Sequence, residues 1–124
     1  MRIAVAKETL VNESRVALVP DVIAKLVKQG LEIQVEAGAG EKSFFFDGAY
    51  EQAGAKIISD SNALWHETEV LLKIGVLNES EVDKLRENSI FISFLNPLGN
   101  PAIVQRLAER KVTAFSMELI PRTS

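Results

Sequence analysis

The chain has 124 residues, 47% hydrophobic and 25% charged, enough to bury the core of one ordinary domain without a disulfide or metal staple. Its 14 Lys and Arg against 17 Asp and Glu give a net charge of -3 with no basic cluster, which argues against a nucleic-acid partner. The absence of cysteine removes thiol catalysis, thiolate metal sites and a disulfide framework.

Met1 to Ala6 runs into Lys7 and Glu8 too soon to be a secretory signal, so a cytoplasmic address is expected. No direct membrane span is expected either. The longest apolar stretch, Val70 to Leu77, is broken by Lys73 and falls far short of the roughly 18 apolar residues a spanning helix needs. Arg2 to Ala6 reads as a first strand. The thirteen residues Lys7 to Val19 then separate it from a helix beginning at Pro20. A strand-to-helix connection usually takes roughly two to six residues. A longer one carrying Lys7, Glu8, Glu13 and Arg15 at a strand's carboxyl end marks a candidate site.

Pro20 suits the first helical position and Gly30 the left-handed residue past the end, with Val22, Ile23, Leu26 and Val27 as the buried stripe. A second strand, Glu32 to Ala37, leads to the turn Gly38-Ala39-Gly40, the aromatic run Phe44-Phe45-Phe46 and a helix from Asp47 to Gly54. Lys56 to Ile58 is a third strand, followed by a short helix capped by Asp60 or Ser61 and running through Trp65. Glu69 to Ile74 is a strand apolar enough to be buried on both faces. Asn78 starts the next helix, with Glu79 and Glu81 near its positive end and Val82 and Leu85 inward. Ser89 to Leu95 is a fifth strand. Asn100-Pro101 opens a helix with Ile103, Val104 and Leu107 inward, and Val112 to Met117 is the last strand. Six strands alternating with helices predict an α/β domain, a mostly parallel, doubly wound sheet, incomplete at its C-terminal end where no covering helix follows.

Gly38-Ala39-Gly40-Glu41-Lys42-Ser43 resembles two nucleotide loops and satisfies neither. The dinucleotide fingerprint needs glycine where Ser43 stands, and the phosphate loop needs glycine in place of the acidic Glu41. It is read as a tight turn after an edge strand. His66, beside Trp65 on a short helix, is read as a surface residue with no role, and no spacing of His and carboxylates suits a metal. Lys73 is different. An ammonium late in so apolar a strand needs a carboxylate partner, with Glu8, Glu13 or Glu118 available, or an anionic ligand at the sheet's carboxyl edge. Asn96 falls on the same edge, where an amide can orient a ligand and cannot act as a base. Arg122 lies two residues from the end of the given sequence, where frayed, solvated side chains are usual.

Taken in order, Arg2-Ile3-Ala4-Val5, Lys7-Glu8, Asn12-Glu13-Ser14-Arg15-Val16-Ala17, Glu36-Ala37-Gly38-Ala39-Gly40, Leu72-Lys73-Ile74 and Met117-Glu118-Leu119-Ile120-Pro121-Arg122 resemble the amino-terminal domain shared by alanine dehydrogenase and proton-translocating NAD(P) transhydrogenase. The resemblance covers nearly the whole chain. It implies that residues 1–124 form the substrate-side domain, with the NAD-binding Rossmann domain absent. In alanine dehydrogenases an arginine and a lysine matching Arg15 and Lys73 hold the keto acid, and a histidine acts as acid/base where this chain has Asn96. That departure points toward the transhydrogenase alpha subunit, which Asn96-Pro97, Asn100-Pro101 and Ile120-Pro121-Arg122-Thr123-Ser124 also resemble. There the arginine matching Arg122 lies near the nicotinamide. The resemblance implies NAD(H) and NADP(H) as cofactors of the complete enzyme, none tightly bound by this chain. It also implies the remaining transhydrogenase segments as partners, a homo-oligomer, and a position peripheral to the membrane. The alternatives are an alanine dehydrogenase-like fragment and a non-catalytic docking module using Phe44-Phe45-Phe46 and an uncovered sheet edge.

Overall fold

Parallel strands can be joined only by crossovers, and the chain supplies one between each pair of consecutive strands. A computed structural model describes residues 1–8, 14–75, 77–93 and 101–116. The elements are β1 (Arg2–Val5), α1 (Pro20–Lys28), β2 (Glu32–Glu36), α2 (Asp47–Gln52), β3 (Lys56–Ile58), α3 (Ser61–Glu67), β4 (Val70–Lys73), α4 (Glu79–Lys84), β5 (Ile90–Ser93), α5 (Pro101–Glu109) and β6 (Thr113–Ser116). The sheet has the order β3-β2-β1-β4-β5-β6, and every pairing is parallel. This is the strand order of dinucleotide-binding domains. The six strands match expectation, each shorter by a residue or more at its ends except β3. One placement differs: β2 is interior, because the three residues of β3 pair outside it and take the edge.

Local chemistry sets the helix limits. Val19 offers α1 no side-chain cap, and Pro20, which has no N–H to satisfy, takes the first position. At the other end Gly30 donates to the Val27 carbonyl at 3.0 Å and Leu31 to that of Leu26 at 3.3 Å, the paired bonds of a Schellman ending. Gly30 supplies the left-handed φ of 92° that this ending needs. α5 ends in the same way, with Lys111 and Val112 donating to Ala108 and Leu107, and there Lys111 takes the left-handed φ of 58°. α4 opens with a capping box in which Asn78 Oδ1 accepts from Glu81 N and Glu81 Oε1 accepts from Asn78 N. Within α1, Ile23 is buried while Leu26 and Val27 pack at the margin of the core, and Val22, expected inside, is more than a third exposed.

The two faces of the sheet carry separate cores. On one, Ala4, Ala6, Leu71 and Phe91 meet Leu64 and Trp65 of α3, Val82 of α4, and Ile103 and Leu107 of α5. On the other, Val5, Ile33 and Val35 meet Ile23 of α1 and Tyr50 of α2. The second core stops at β1. Along that same face the register continues from Val5 through Leu72 to Ile92 and Phe115, and exposure rises outward until Phe115 is 50% exposed. Among the described residues no helix belongs to this half of the face.

Tyr50 joins α2 to the segment before α1, donating to the Leu18 carbonyl at 2.9 Å. Gly40 lies beneath it, where a Cβ would come within 2.6 Å of the Phe45 carbonyl and 2.7 Å of the Tyr50 hydroxyl. Gly40→Ala is therefore expected to destabilise the domain by about 1–3 kcal/mol. Gly48→Ala, in α2 with nothing within 4 Å, should be neutral or stabilising by up to about 1 kcal/mol; urea melts of both variants measure the contrast. Burial, and then the Asp47 carboxylate, push the Tyr50 phenol from 10.0 to about 12. A raised folded value means that stability is intact below pH 10 and is lost as pH rises from 10 toward 12, because the unfolded chain ionises first. Tyr50→Phe should make that alkaline decline shallower in pH-dependent melts.

Candidate functional site

In this strand order the sheet's topological switch point lies between β1 and β4, where ligands of such folds gather at the carboxyl ends. Here a side chain of the protein fills it. Glu8, three residues past the end of β1, turns its carboxylate onto the turn leaving β4. Oε2 accepts the N–H of Ile74 at 2.8 Å, and Oε1 accepts that of Gly75 at 2.9 Å together with Lys73 Nζ at 3.0 Å. Ser93, at the end of β5, serves the carbonyls of the same turn, donating toward Ile74 O and Gly75 O at 3.2 and 3.1 Å. The backbone amides and carbonyls of residues 74 and 75 are thus matched by two side chains from the neighbouring strand ends.

The ion pair is inaccessible, with side-chain exposures of 0% for Lys73 and 2% for Glu8. Of the three carboxylates open to Lys73 on sequence grounds, Glu8 is the partner; Glu13 and Glu118 lie outside the described residues. A buried pair of this kind gives little net stability, because desolvation offsets much of the attraction, yet removing one partner leaves a charge with nothing to meet it.

Glu8 also lines a cavity of about 100 Å³ on the β2 side, shared with Lys7, Arg15, Gly38, Ala39, Glu41 and Lys42. Arg15 is held there by its neighbours: Ser14 O accepts the Ser43 hydroxyl, Val16 enters the core, and Leu18 O accepts the Tyr50 hydroxyl. Lys7 N donates to Glu36 Oε1 at 3.3 Å, an oxygen that also takes the indole N–H of Trp65. Three cations and two carboxylates line the cavity, and one carboxylate, Glu8, is already matched from behind by Lys73. The volume is that of a small ligand. A guanidinium in such a setting favours a planar carboxylate.

The structure brings Arg15 and Glu8 together at this cavity and sets Lys73 behind its wall; Asn96 and Arg122 lie outside the described residues. The turn rejected as a nucleotide loop contributes Gly38, Glu41 and Lys42 to the lining. Sequence reasoning missed Lys42 as a site residue for that reason: its motif was incomplete, and only the fold shows the turn facing Arg15. A dinucleotide is not accommodated by the described residues, since Glu8 already takes the switch-point amides that would face a pyrophosphate. A larger cavity, about 340 Å³, lies at the opposite edge beside Met1, Val70, Arg86, Asn88 and Ile90, away from this chemistry. His66 is exposed at the end of α3, as expected. Phe44 and Phe46 are 85% and 61% exposed, and Phe44 adopts a left-handed φ of 64° that is uncommon for an aromatic residue. Among the described residues no group of three or more His, Asp or Glu is placed to hold a metal, and no helix is long and apolar enough to cross a membrane.

Glu8→Ala removes the acceptor of one buried ammonium and two backbone amides, and should cost about 3–5 kcal/mol in urea unfolding. Arg106→Ala breaks the exposed pair with Asp83 at 2.9 Å, and the urea midpoint should barely move. Equal effects of the two substitutions would contradict this account of the ion pair.

Residues 4–124 match the family model for the alanine dehydrogenase/PNT, N-terminal domain. The NAD(P) transhydrogenase subunit alpha of Haemophilus influenzae is 34% identical over the whole chain, which covers 24% of that protein. An alanine dehydrogenase of Staphylococcus epidermidis is 35% identical over 97% of the chain, covering 32% of the enzyme. The crystal structure of transhydrogenase from Sinorhizobium meliloti superposes with a TM-score of 0.91 at 34% identity, over all of this chain and 37% of that one. The chain thus spans about a quarter to a third of the length of these relatives, and it belongs to the alanine dehydrogenase/PNT amino-terminal domain family.

Proposed function

We propose that this chain is the substrate-side amino-terminal domain of an NAD(P) transhydrogenase alpha subunit. In the complete enzyme it forms one wall of the cleft in which hydride passes from NADH to NADP+, coupled to proton translocation. The observation that carries the reading is the Glu8 carboxylate at the switch point. A sheet with the dinucleotide-binding strand order whose own ligand position is filled by a side chain is suited to act beside a nucleotide held elsewhere. NAD(H) and NADP(H) are then bound by other segments, and this chain holds neither tightly.

The half-face of Ile92 and Phe115, which no described helix covers, gives those segments an apolar surface on which to pack. In the working assembly the domain is cytoplasmic, peripheral to the membrane, and part of a homo-oligomer. Arg122 is assigned to the nicotinamide side of the cleft by its place in the motif Met117 to Arg122.

A second reading, an alanine dehydrogenase-like fragment, draws on the Staphylococcus epidermidis relative and on the small cationic cavity at Arg15. Asn96 weighs against it, since an amide cannot carry the proton that imine and carbonyl chemistry requires.

The purified chain alone should show no hydride transfer from NADH to an NADP+ analogue, whereas adding the remaining transhydrogenase segments should restore it. In the restored enzyme Arg122→Ala should lower kcat by about tenfold or more. Transfer by the isolated chain at a comparable rate would refute the reading. Pyruvate- and ammonium-dependent oxidation of NADH would replace it with the dehydrogenase.

A further inference from the structure

Among the described residues two strands form the edges of the sheet, and they are not alike. β3 begins with an exposed lysine, Lys56, an ordinary defence of a sheet edge against further pairing. β6 carries no such defence: Thr113-Ala114-Phe115-Ser116 has no charge and no proline, and Phe115 is 50% exposed. Thr113 N donates to Ser89 O at 3.0 Å, so in the alternation of a parallel ladder Thr113 and Phe115 bond toward β5. The N–H and C=O of Ala114 and Ser116 then point outward, where no described strand lies.

A side chain at the same place also lacks a partner. Ser116 is 7% exposed, and its Oγ is buried without a hydrogen bond. Such a hydroxyl is costly until something meets it. Because side chains alternate, Ser116 lies on the face of Ala114, which packs against the core of α3, α4 and α5, and Phe115 lies on the opposite, uncovered half-face. A strand laid against β6 would therefore set successive side chains beside Ser116 on one face and Phe115 on the other. From the open edge and the orphaned hydroxyl we infer that β6 receives a strand from the remaining part of the subunit, with a Ser, Thr or Asn beside Ser116 and an apolar residue beside Phe115. The inference rests on the reading of the chain as one domain of a longer subunit. Its relatives supply the length, since the chain spans about a quarter to a third of them. A second copy paired edge to edge fits less well, because the half-face would stay bare on both copies away from Phe115.

Amide hydrogen exchange, read by NMR on the wild-type chain with and without the remaining transhydrogenase segments, tests this. The Ala114 amide should exchange freely in the isolated chain and slow by about tenfold or more when those segments are added. The outward amide of β3, that of Ile57, should not change. Ala114→Pro removes an N–H that β5 does not use, a change tolerated at a sheet edge, and should leave the urea midpoint of the isolated chain close to wild type. It should weaken association with the remaining segments by about tenfold or more. Phe115→Pro removes an N–H that β5 does use and should lower the midpoint, which verifies the direction of the ladder. If the segments bind and hydride transfer is restored while the Ala114 amide stays unprotected, the inference is overturned and the transhydrogenase reading stands. Protection of Ala114 that grows with the concentration of the chain alone would give the edge to a second copy, and protection in the dilute isolated chain would give it to the chain's own residues; either overturns the inference. Failure of the segments to bind at all would overturn it together with the reading on which it rests.

Discussion

The structure depends on one carboxylate. Where β1 and β4 part, two successive backbone N–H groups, those of Ile74 and Gly75, point out of the sheet and need acceptors that the strands cannot provide. In a nucleotide-binding sheet a ligand can meet such groups; here Glu8 meets them. Its charge then has to be compensated where it is buried, and Lys73 does so from the last position of β4. Both charged residues follow from one requirement, satisfaction of the β4 turn. This explains why a strand as apolar as Val70–Lys73 ends in a fully buried lysine.

That requirement shapes the neighbouring segments. Because Glu8 must return to β4, the chain leaving β1 cannot pass directly into α1, and the connection has to be long. Its second half is then fastened from the far side, by Ser43 at Ser14 and Tyr50 at Leu18, with Val16 in the core. Arg15 is carried between these fixed points. The cavity it lines is a by-product of the detour, formed between the β1 exit and the turn after β2. Gly40 permits the close packing of that turn on Tyr50, so the helix α2, the loop and the cavity are mechanically one unit.

Much of the fold was legible because the signals were local and periodic: β-branched runs, Pro20 and Pro101 at helix starts, Gly30 past a helix end, and the capping pattern around Asn78. The interior place of β2 was not legible, since nothing within Glu32–Glu36 says whether a three-residue strand will pair outside it. Val22 shows a related limit. Four apolar residues in one helical turn and a half exceed what a face can bury, and only the direction of the sheet decides which is left out. For the site, the sequence narrowed the partner of Lys73 to three carboxylates and went no further, because residues 8 and 73 meet through the sheet order. Lys42 was hidden by the opposite fault. It sat in a motif whose nucleotide reading failed, and the failure of that reading drew attention away from the turn's position.

The unequal covering of the two faces follows from topology. With right-handed crossovers, the steps from β1 to β3 place their helices on one face and the steps from β3 to β6 place theirs on the other. Among the described residues three helices therefore share one core and two share the other, and none of them covers the half-face of β4, β5 and β6 beside α1. On that side Ile92 of β5 is half-buried and Phe115 of the edge strand β6 is half-exposed, where burial would return about 25 cal/mol for each Å² covered. The Glu8 carboxylate and this bare half-face are separate features with the same implication. One removes the usual nucleotide position from the domain, and the other gives additional protein a surface to cover. Both features fit the proposal that the domain forms one side of a site whose other side is made by different residues.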